Sequence, residues 1–158
     1  GAPMYFAMVI LLCLVLPVTS VGIERNLSLS TFSTMFLVGR WFVFWAGGVR
    51  LFIAGIRQVI QPRFTAEEIF GIRDRASFPI VREIGFANLS IGLLGICSLF
   101  HAGWVVPAAI AGGLYYGLAA LGHIPQKNKN PKEYTAMISD GFVFLVLATF
   151  LMSSLTRK

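Results

Sequence analysis

The apolar positions of this chain fall into five long segments that short polar or charged stretches separate. The segments cover residues 5–22, 31–56, 79–100, 104–122 and 134–155. A helix of about 20 apolar residues crosses a hydrocarbon layer of about 30 Å. The pattern therefore predicts an all-α, polytopic transmembrane helical bundle with five spans, in a single domain over residues 4–158. Gly1 to Pro3 resemble a remnant of cloning and are left out of this fold.

The third and fourth segments form the most regular part of the pattern. They run from Ser77 to His123, and a short turn at residues 101–103 joins them. Pro79 suits the first turn of the third helix, because the N–H that proline lacks would be unpaired there in any case. We expect these two helices to form a membrane hairpin.

The second segment is ambiguous, because Arg40 and Arg50 interrupt its apolar pattern. An arginine near the bilayer centre costs about 2.5–3.5 kcal/mol on insertion scales, so both residues need acidic partners or water. We expect a span with paired arginines. The alternative is a re-entrant or interfacial helix, which two tryptophans and a Gly-Gly pair would favour and which would leave four spans.

Residues 57–78 are charged and are predicted to form an amphipathic connection at the membrane surface. Thr65 and Glu68 have the spacing of a capping box, which predicts the start of a short amphipathic helix. Asn130 and Glu133 have the same spacing, with a proline directly after the asparagine, and they predict the start of the fifth span.

The basic residues are divided unevenly between the two predicted faces of the membrane. Eight belong to the face that the connections 57–78 and 123–133 share, and three belong to the other: Arg25, Arg157 and Lys158. Lys and Arg concentrate on the cytoplasmic side of membrane proteins. The sequence therefore predicts that both connections are cytoplasmic and that the protein lies in a prokaryotic inner membrane.

Composition and charge favour a membrane protein over a soluble one. Hydrophobic residues make up 56% of the chain, and the mean hydropathy is +0.76. The net charge of +6 would suggest nucleic acid in a soluble protein, but here the basic residues lie between apolar segments, where anionic lipid heads attract them. We expect membrane lipid as a partner and no nucleic acid. Cys13 and Cys97 lack metal-ligand spacing, so no metal site is predicted and no cofactor is assigned.

Three ionisable residues are expected at similar depth in the cytoplasmic half of the bundle. Arg50 lies about one to two turns from the end of its segment, Glu83 about one turn into the third, and Asp140 about two to three turns into the fifth. Because an isolated charge in hydrocarbon is costly, these groups should form one network. His123, at the same end of the fourth segment, is near enough to join it.

Arg40 and Asn88 complete the candidate residues for ligand binding or a buried polar network. Arg40 should lie in the opposite half, where Glu24 is the nearest acid in sequence. Asn88 is about 140° from Glu83 around the third helix, so it should bond to another helix instead. The alternative for the charged residues is that they pair only to fix the packing of the helices, with no ligand.

Small residues recur every four positions in the fourth segment, at Ala109, Gly113 and Gly117. Such a small-xxx-small stripe lets a second helix approach closely. We expect this stripe to pack helices and to mediate self-association into a homo-oligomer. Docking onto a larger membrane complex through the same face is the alternative.

Several stretches between Arg40 and Leu147 resemble a known family. They are RWFVFWAGGVRLFIAGI, REIGFANLSIGLLG, PAAIAGGLYYGLAALGH and AMISDGFVFLVL. They are similar to small bacterial and archaeal membrane proteins classified only as a domain of unknown function, which implies a membrane bundle and no reaction. The helix composition also has a fainter similarity to DoxX-like four-helix proteins, some associated with quinone-linked redox work. Residues 82–88 contain the ingredients of a helix motif of membrane-associated eicosanoid and glutathione enzymes, in a different order.

These observations favour a non-enzymatic integral membrane protein that binds or conducts a small polar or amphiphilic molecule at the Arg/Glu/Asp cluster. The rival hypothesis is a membrane enzyme that acts on a lipid, a quinone or a thiol conjugate. In that case Glu83 or Asp140 would accept a proton and Arg50 would stabilise an anion. A third hypothesis is an accessory subunit of a larger membrane complex.

Overall fold

A computed structural model describes residues 2–27 and 30–157 of the chain. Helices account for 86% of the structure, and the described residues form no strand. Gly1 and Lys158, which contribute to the predictions above, lie outside the described residues. The expected all-α architecture is therefore confirmed.

Five helices are long and apolar enough to cross a membrane. They are α1 (Pro3–Asn26), α2 (Thr34–Ile60), α3 (Phe78–Ser98), α4 (Val105–His123) and α5 (Pro131–Thr156). Short 3₁₀ turns precede α3 and α4, at Arg75–Ser77 and Ala102–Trp104. The prediction of five membrane-length helices is confirmed, with helix ends that differ from the predicted ones by a few residues.

The ambiguous second segment forms one continuous helix of 27 residues. It begins at Thr34, where the Ser33 side chain accepts a hydrogen bond from Phe36 N, and it continues to Ile60. The Gly-Gly pair does not break α2. It lies within a wider, π-helical stretch, Val43–Arg50. A second π-helical stretch, Leu11–Val15, widens α1.

The start of α1 and both basic connections lie at one end of the bundle, which we call the basic end. The Tyr5 ring packs against Phe64, with ring centroids 6.0 Å apart. Asn130 Nδ2 donates to the Glu68 carbonyl oxygen at 3.1 Å, which joins the connection before α3 to the start of α5. Lys132 Nζ donates to a carboxylate oxygen of Glu68 at 2.7 Å. The hydrogen bond and the positive charge of Lys132 lower the pKa of Glu68. This contact is therefore present above the pKa of an unfolded glutamate and is lost as the pH falls through the lower folded-state value.

The predicted capping box in this connection is wrong, whereas the one before α5 forms. The helical turn Phe64–Ile69 already includes Thr65, whose side chain is buried and cannot serve as an N-cap. An ion pair at the start of the turn, from Arg63 Nε to Glu67 Oε2 at 2.8 Å, joins residues four apart. The turn ends at Ile69, so the predicted amphipathic helix does not extend beyond this short turn. At α5, the Asn130 side chain accepts from Glu133 N as expected.

Glycines allow α2 and α3 to pack with their backbones in close contact. A Cβ on Gly92 would lie 2.5 Å from Phe52 N, and a Cβ on Gly95 would lie 2.6 Å from Gly48 Cα. Both distances are far shorter than a van der Waals contact, so any side chain would push the helices apart. The buried residues of α3 form one narrow stripe of mainly small residues: Val81, Gly85, Asn88, Gly92, Gly95 and Ser98.

The stripe of small residues on α4 packs inside the chain. Ala109, Gly113 and Gly117 are all buried. A Cβ on Gly117 would lie 2.6 Å from the Phe144 ring of α5, and a Cβ on Gly113 would lie 3.4 Å from the Leu147 side chain. Because α5 of the same chain covers this stripe, it is not a free surface for self-association, and the formation of a homo-oligomer stays a prediction.

The half of the bundle farthest from the basic end has a mainly apolar core. Its members have at most 2% of their surface exposed and come from three helices: Leu37, Val43, Val105, Val143, Leu147 and Phe150. This layer separates the polar residues nearer the basic end from those at the opposite end.

We expect Gly92→Ala to lower the free energy of unfolding by about 1–3 kcal/mol, because the added methyl group collides with the α2 backbone. Gly22→Ala in α1 is the matched control, since a Cβ there meets nothing within 4 Å. Replacing a helical glycine by alanine at such an open position should raise the free energy of unfolding by about 0.5–1 kcal/mol. Reversible unfolding in mixed micelles measures both changes, and equal effects would contradict the close packing of α2 on α3.

Candidate functional site

An ion pair between α2 and α5 lies at the centre of the polar residues near the basic end. Arg50 Nη1 is 3.3 Å from Asp140 Oδ1, and Arg50 Nη2 donates to Ser139 Oγ at 3.3 Å. Both charged side chains are largely buried. The structure thus brings together two of the three residues expected to form a network. Neither charge is left alone, which is the condition under which ionised groups are tolerated in a membrane.

His123, at the end of α4, lies between two acids of α5. Its Nδ1 is 3.2 Å from Glu133 Oε1, and its Nε2 is 3.9 Å from Asp140 Oδ2. All three residues are buried. Glu133 was assigned only a capping role from the sequence. Its spacing of seven residues from Asp140 is the signal for a second role, because residues two helical turns apart share one face.

Tyr116 connects the ion pair to the π-helical stretch of α2. Its hydroxyl donates a hydrogen bond to the Ala46 carbonyl oxygen, and the Arg50 guanidinium lies 5.5 Å from the centre of its ring. Tyr116 is fully buried. The structure gives this residue both a hydrogen bond and a cation–π contact. π-helical turns occur frequently at functional sites.

Glu83 does not belong to this network, so the prediction that it does is wrong. Its side chain is exposed, and it makes no ion pair with any residue that the structure describes. The physical reason is the direction in which α3 packs. Its stripe of small residues faces α2, and Glu83 lies outside that stripe. Depth along the helix was predicted, but the direction of the side chain was not.

Asn88 is buried in the α3 stripe, with 1% of its surface exposed. Its Nδ2 donates to Gln58 Oε1 of α2 at 2.8 Å, so it does bond to another helix. Its Oδ1 is buried and accepts no hydrogen bond of normal geometry from the described residues, and the Tyr115 hydroxyl lies beside the Asn88 side chain. Leaving a buried polar atom without a partner costs about 1–3 kcal/mol.

A cavity of about 400 Å³ lies beside these residues. All five helices and the connection before α3 line it. Its polar lining includes Arg50, Gln58, Asn88, Tyr115, His123 and Asp140. The remaining wall is mainly apolar, with contributions from α1 and α2. The ring of Phe70 stacks on the His123 imidazole at 5.5 Å and forms part of the wall at the basic end.

Arg40 belongs to a separate polar contact at the opposite end of the bundle. Its Nη1 is 2.9 Å from Glu24 Oε1, and the other oxygen of Glu24 accepts from Trp41 Nε1. A hydrogen bond of 3.0 Å from Trp45 Nε1 to Ser20 Oγ lies nearby. Arg40 and Arg50 are ten residues apart along α2, or about 15 Å. The Arg40 contact therefore holds α1 against α2 and is not part of the site.

No group of three or more His, Cys, Asp or Glu residues that could hold a metal ion occurs within residues 2–27 and 30–157. Cys13 is buried and Cys97 is half-buried, and both are free thiols. The side chains of the site can form hydrogen bonds, carry charge and exchange protons.

We expect Arg50→Gln or Asp140→Asn alone to lower the free energy of unfolding by about 3–5 kcal/mol, because each leaves the other charge buried without its partner. The double variant should lose much less free energy of unfolding than the sum of the losses in the two single variants. A double-mutant cycle by reversible unfolding in mixed micelles measures this coupling.

Glu83→Gln combined with Arg50→Gln is the matched control cycle. Glu83 is an acid at similar depth, but it is exposed. The change in the free energy of unfolding on Glu83→Gln should therefore simply add to the change on Arg50→Gln. Additive losses in the Arg50 and Asp140 cycle, or coupling in the Glu83 cycle, would contradict the arrangement described.

Comparison with known proteins places the chain in a family. No curated protein and no solved structure matches it. A family model does match, over residues 4–157, which extends well beyond the region in which the sequence resemblance was noted. The similarity to DoxX-like proteins and the prokaryotic origin stay predictions. The chain belongs to this family, which is described as a family of unknown function (DUF6790).

Proposed function

We propose that this integral membrane protein binds a small, uncharged amphiphilic molecule in the cavity near its basic end. The observation that carries the proposal is the buried Oδ1 of Asn88, which lines the cavity and has no hydrogen-bond partner among the described residues. A ligand that donates a hydrogen bond to this atom would recover the energy lost by burying it.

The size and lining of the cavity support an amphiphilic ligand. Its volume of about 400 Å³ lies within the range of about 300–1,000 Å³ that small-molecule sites occupy. A mainly apolar wall with a few polar groups on one side fits a molecule with a hydrocarbon body and one polar group. The polar group would be a hydroxyl or an N–H, because Asn88 offers an acceptor.

The charges around the cavity favour a ligand without net charge. Arg50 and Asp140 already neutralise each other at 3.3 Å. An ammonium group in the ligand would have to break this pair or enter without a counter-ion. A carboxylate would have to break it or draw Arg57, the other cation in the wall, away from the Phe64 ring over which it lies. Each is costly in a medium of low dielectric constant.

The apolar core favours binding over conduction. Beyond the ion pair, buried residues such as Val43, Val143 and Leu147 fill the bundle toward the opposite end. An ion or a polar solute would meet mainly apolar side chains there, and the buried Ser98 hydroxyl of α3 already donates its hydrogen bond to the Gly95 carbonyl oxygen. The cavity is therefore a site that a molecule enters and leaves, and the sequence hypothesis of conduction is not retained.

Fluorine NMR in lipid nanodiscs tests the proposal with terminally fluorinated decanol as the probe. We expect saturable binding at one molecule per chain. Asn88→Leu should weaken it roughly two- to tenfold, since one hydrogen bond contributes about 0.5–1.5 kcal/mol. Fluorinated decane, which has no donor, should show no difference between the wild type and Asn88→Leu.

Ala119→Phe and Ala87→Phe form the matched pair for this test. Ala119 lines the cavity, so a phenyl ring there should fill it and abolish saturable binding. Ala87 is exposed on α3, so the same ring there should leave binding unchanged. Equal binding to both variants would mean that the probe dissolves in the surrounding lipid and would overturn the proposal.

We also infer that the basic end faces the cytoplasm of a prokaryotic inner membrane. The uneven division of Lys and Arg between the two ends supports this orientation. It can be tested in a Cys13→Ser, Cys97→Ser background. We expect Gln126→Cys to resist a membrane-impermeant maleimide in intact cells and Thr31→Cys to react, because these exposed residues lie at opposite ends. The reverse labelling pattern would contradict the orientation.

A further inference from the structure

We propose that Glu133, His123 and Asp140 form a proton relay that leads from the basic end to the cavity and holds one exchangeable proton. The inference goes beyond ligand binding and does not depend on it. It rests on the order of the three residues along one line, on their burial and on the balance of charge among them.

The three side chains form a continuous row. Glu133 Oε1 is 3.2 Å from one imidazole nitrogen of His123, and the other nitrogen is 3.9 Å from Asp140 Oδ2. The exposed fractions are 5% for Glu133, 6% for His123 and 7% for Asp140. All three side chains are buried to a similar degree, and the imidazole is the group that lies between the two acids.

The balance of charge requires one more proton than the ion pair supplies. The row contains two carboxylates, and Arg50 is the permanent cation in contact with it. With a neutral imidazole and both carboxylates ionised, the buried cluster would carry a net negative charge, which is costly in hydrocarbon. One proton removes this charge, whether it resides on His123 or on one of the acids.

Among the described residues, no further cation from another helix pairs with these acids: Arg57 of α2 also lines the cavity, but it lies over the Phe64 ring and makes no ion pair with Glu133 or Asp140. Asp140 faces Arg50 from α2 and His123 from α4. The other titratable groups close to Arg50 are Tyr116 of α4 together with Tyr5 and Cys13 of α1, none of which carries a positive charge. The connection before α3 contributes the uncharged ring of Phe70 to His123.

His123 can pass the proton because its two nitrogens face different acids. As Nε2 gives its proton to Asp140 Oδ2, Nδ1 takes a proton from Glu133 Oε1, so the number of protons on the imidazole is unchanged. The distance of 3.9 Å is longer than a hydrogen bond, so the ring must move toward Asp140 for the second transfer. A flat stack with Phe70 permits such sliding of the imidazole in its own plane.

The row has one end near water and one end in the cavity. Glu133 lies in the first turn of α5, where Asn130 caps the helix, and Phe70 beside His123 is 41% exposed. Asp140 lines the cavity. The apolar core begins beyond it, so the relay delivers protons to the cavity from the basic end and does not cross the membrane.

NMR of ¹⁵N-histidine together with infrared spectroscopy of carboxyl groups tests the inference on the full chain in nanodiscs at neutral pH. The chain has two histidines, and His101→Asn assigns the signal of His123. We expect either an imidazolium at His123 or a protonated carboxyl band that Asp140→Asn or Glu133→Gln abolishes. The proton that gives either signal should exchange for deuterium in D₂O. Deuterium exchange at Asp140 should be slower in His123→Asn.

Two controls separate this proton from others. Glu83→Gln removes an exposed acid at similar depth and should leave the signal unchanged. Glu133→Gln removes one negative charge, so the cluster should hold one proton fewer than the wild type. A neutral His123 beside two ionised carboxylates in the wild type would overturn the inference. So would a proton that stays in Glu133→Gln, or exchange at Asp140 that His123→Asn does not slow.

Discussion

The ion pair between Arg50 and Asp140 is the constraint on which the rest of the structure depends. Each charge alone would be expensive in hydrocarbon, so α2 and α5 are held at the depth at which the two side chains meet. Glycines fix α2 against α3, and the stripe of small residues fixes α4 against α5. Because the two helix pairs are joined at the ion pair, the positions of four helices are set by one polar contact and two close apolar surfaces.

The polar pair also explains why a cavity exists where it does. Apolar side chains fill the bundle toward the opposite end, but they cannot pack tightly around an arginine, an aspartate and a histidine. The π-helical stretch of α2 ends at Arg50, and it includes the Ala46 carbonyl oxygen that Tyr116 reaches. Cavity, widened helix and ion pair thus occur together, and this combination supports a binding site more strongly than paired charges alone would.

The sequence predicted the parts of this arrangement that depend on length, hydrophobicity and depth. Five apolar segments gave five helices, and the depths of Arg50 and Asp140 were close enough for contact. The same reasoning failed for Glu83, because depth does not determine which way a side chain points. It also placed the partner of the α4 stripe in a second chain, although α5 supplies it. Glu133 and Gln58 were missed, since their roles depend on which helix faces lie next to each other, and hydropathy does not encode that.

The most direct measurement of this account is the distance between the guanidinium nitrogens of Arg50 and the carboxyl carbon of Asp140 in a lipid bilayer. Solid-state NMR that recouples ¹⁵N in arginine with ¹³C in aspartate provides it, and Asp140→Asn assigns the signal. The account requires strong coupling that corresponds to a direct ion pair, and no such coupling in Asp140→Asn. The absence of coupling to Asp140 in the wild type would mean that the two charges do not meet in lipid, and it would contradict the central contact of the structure.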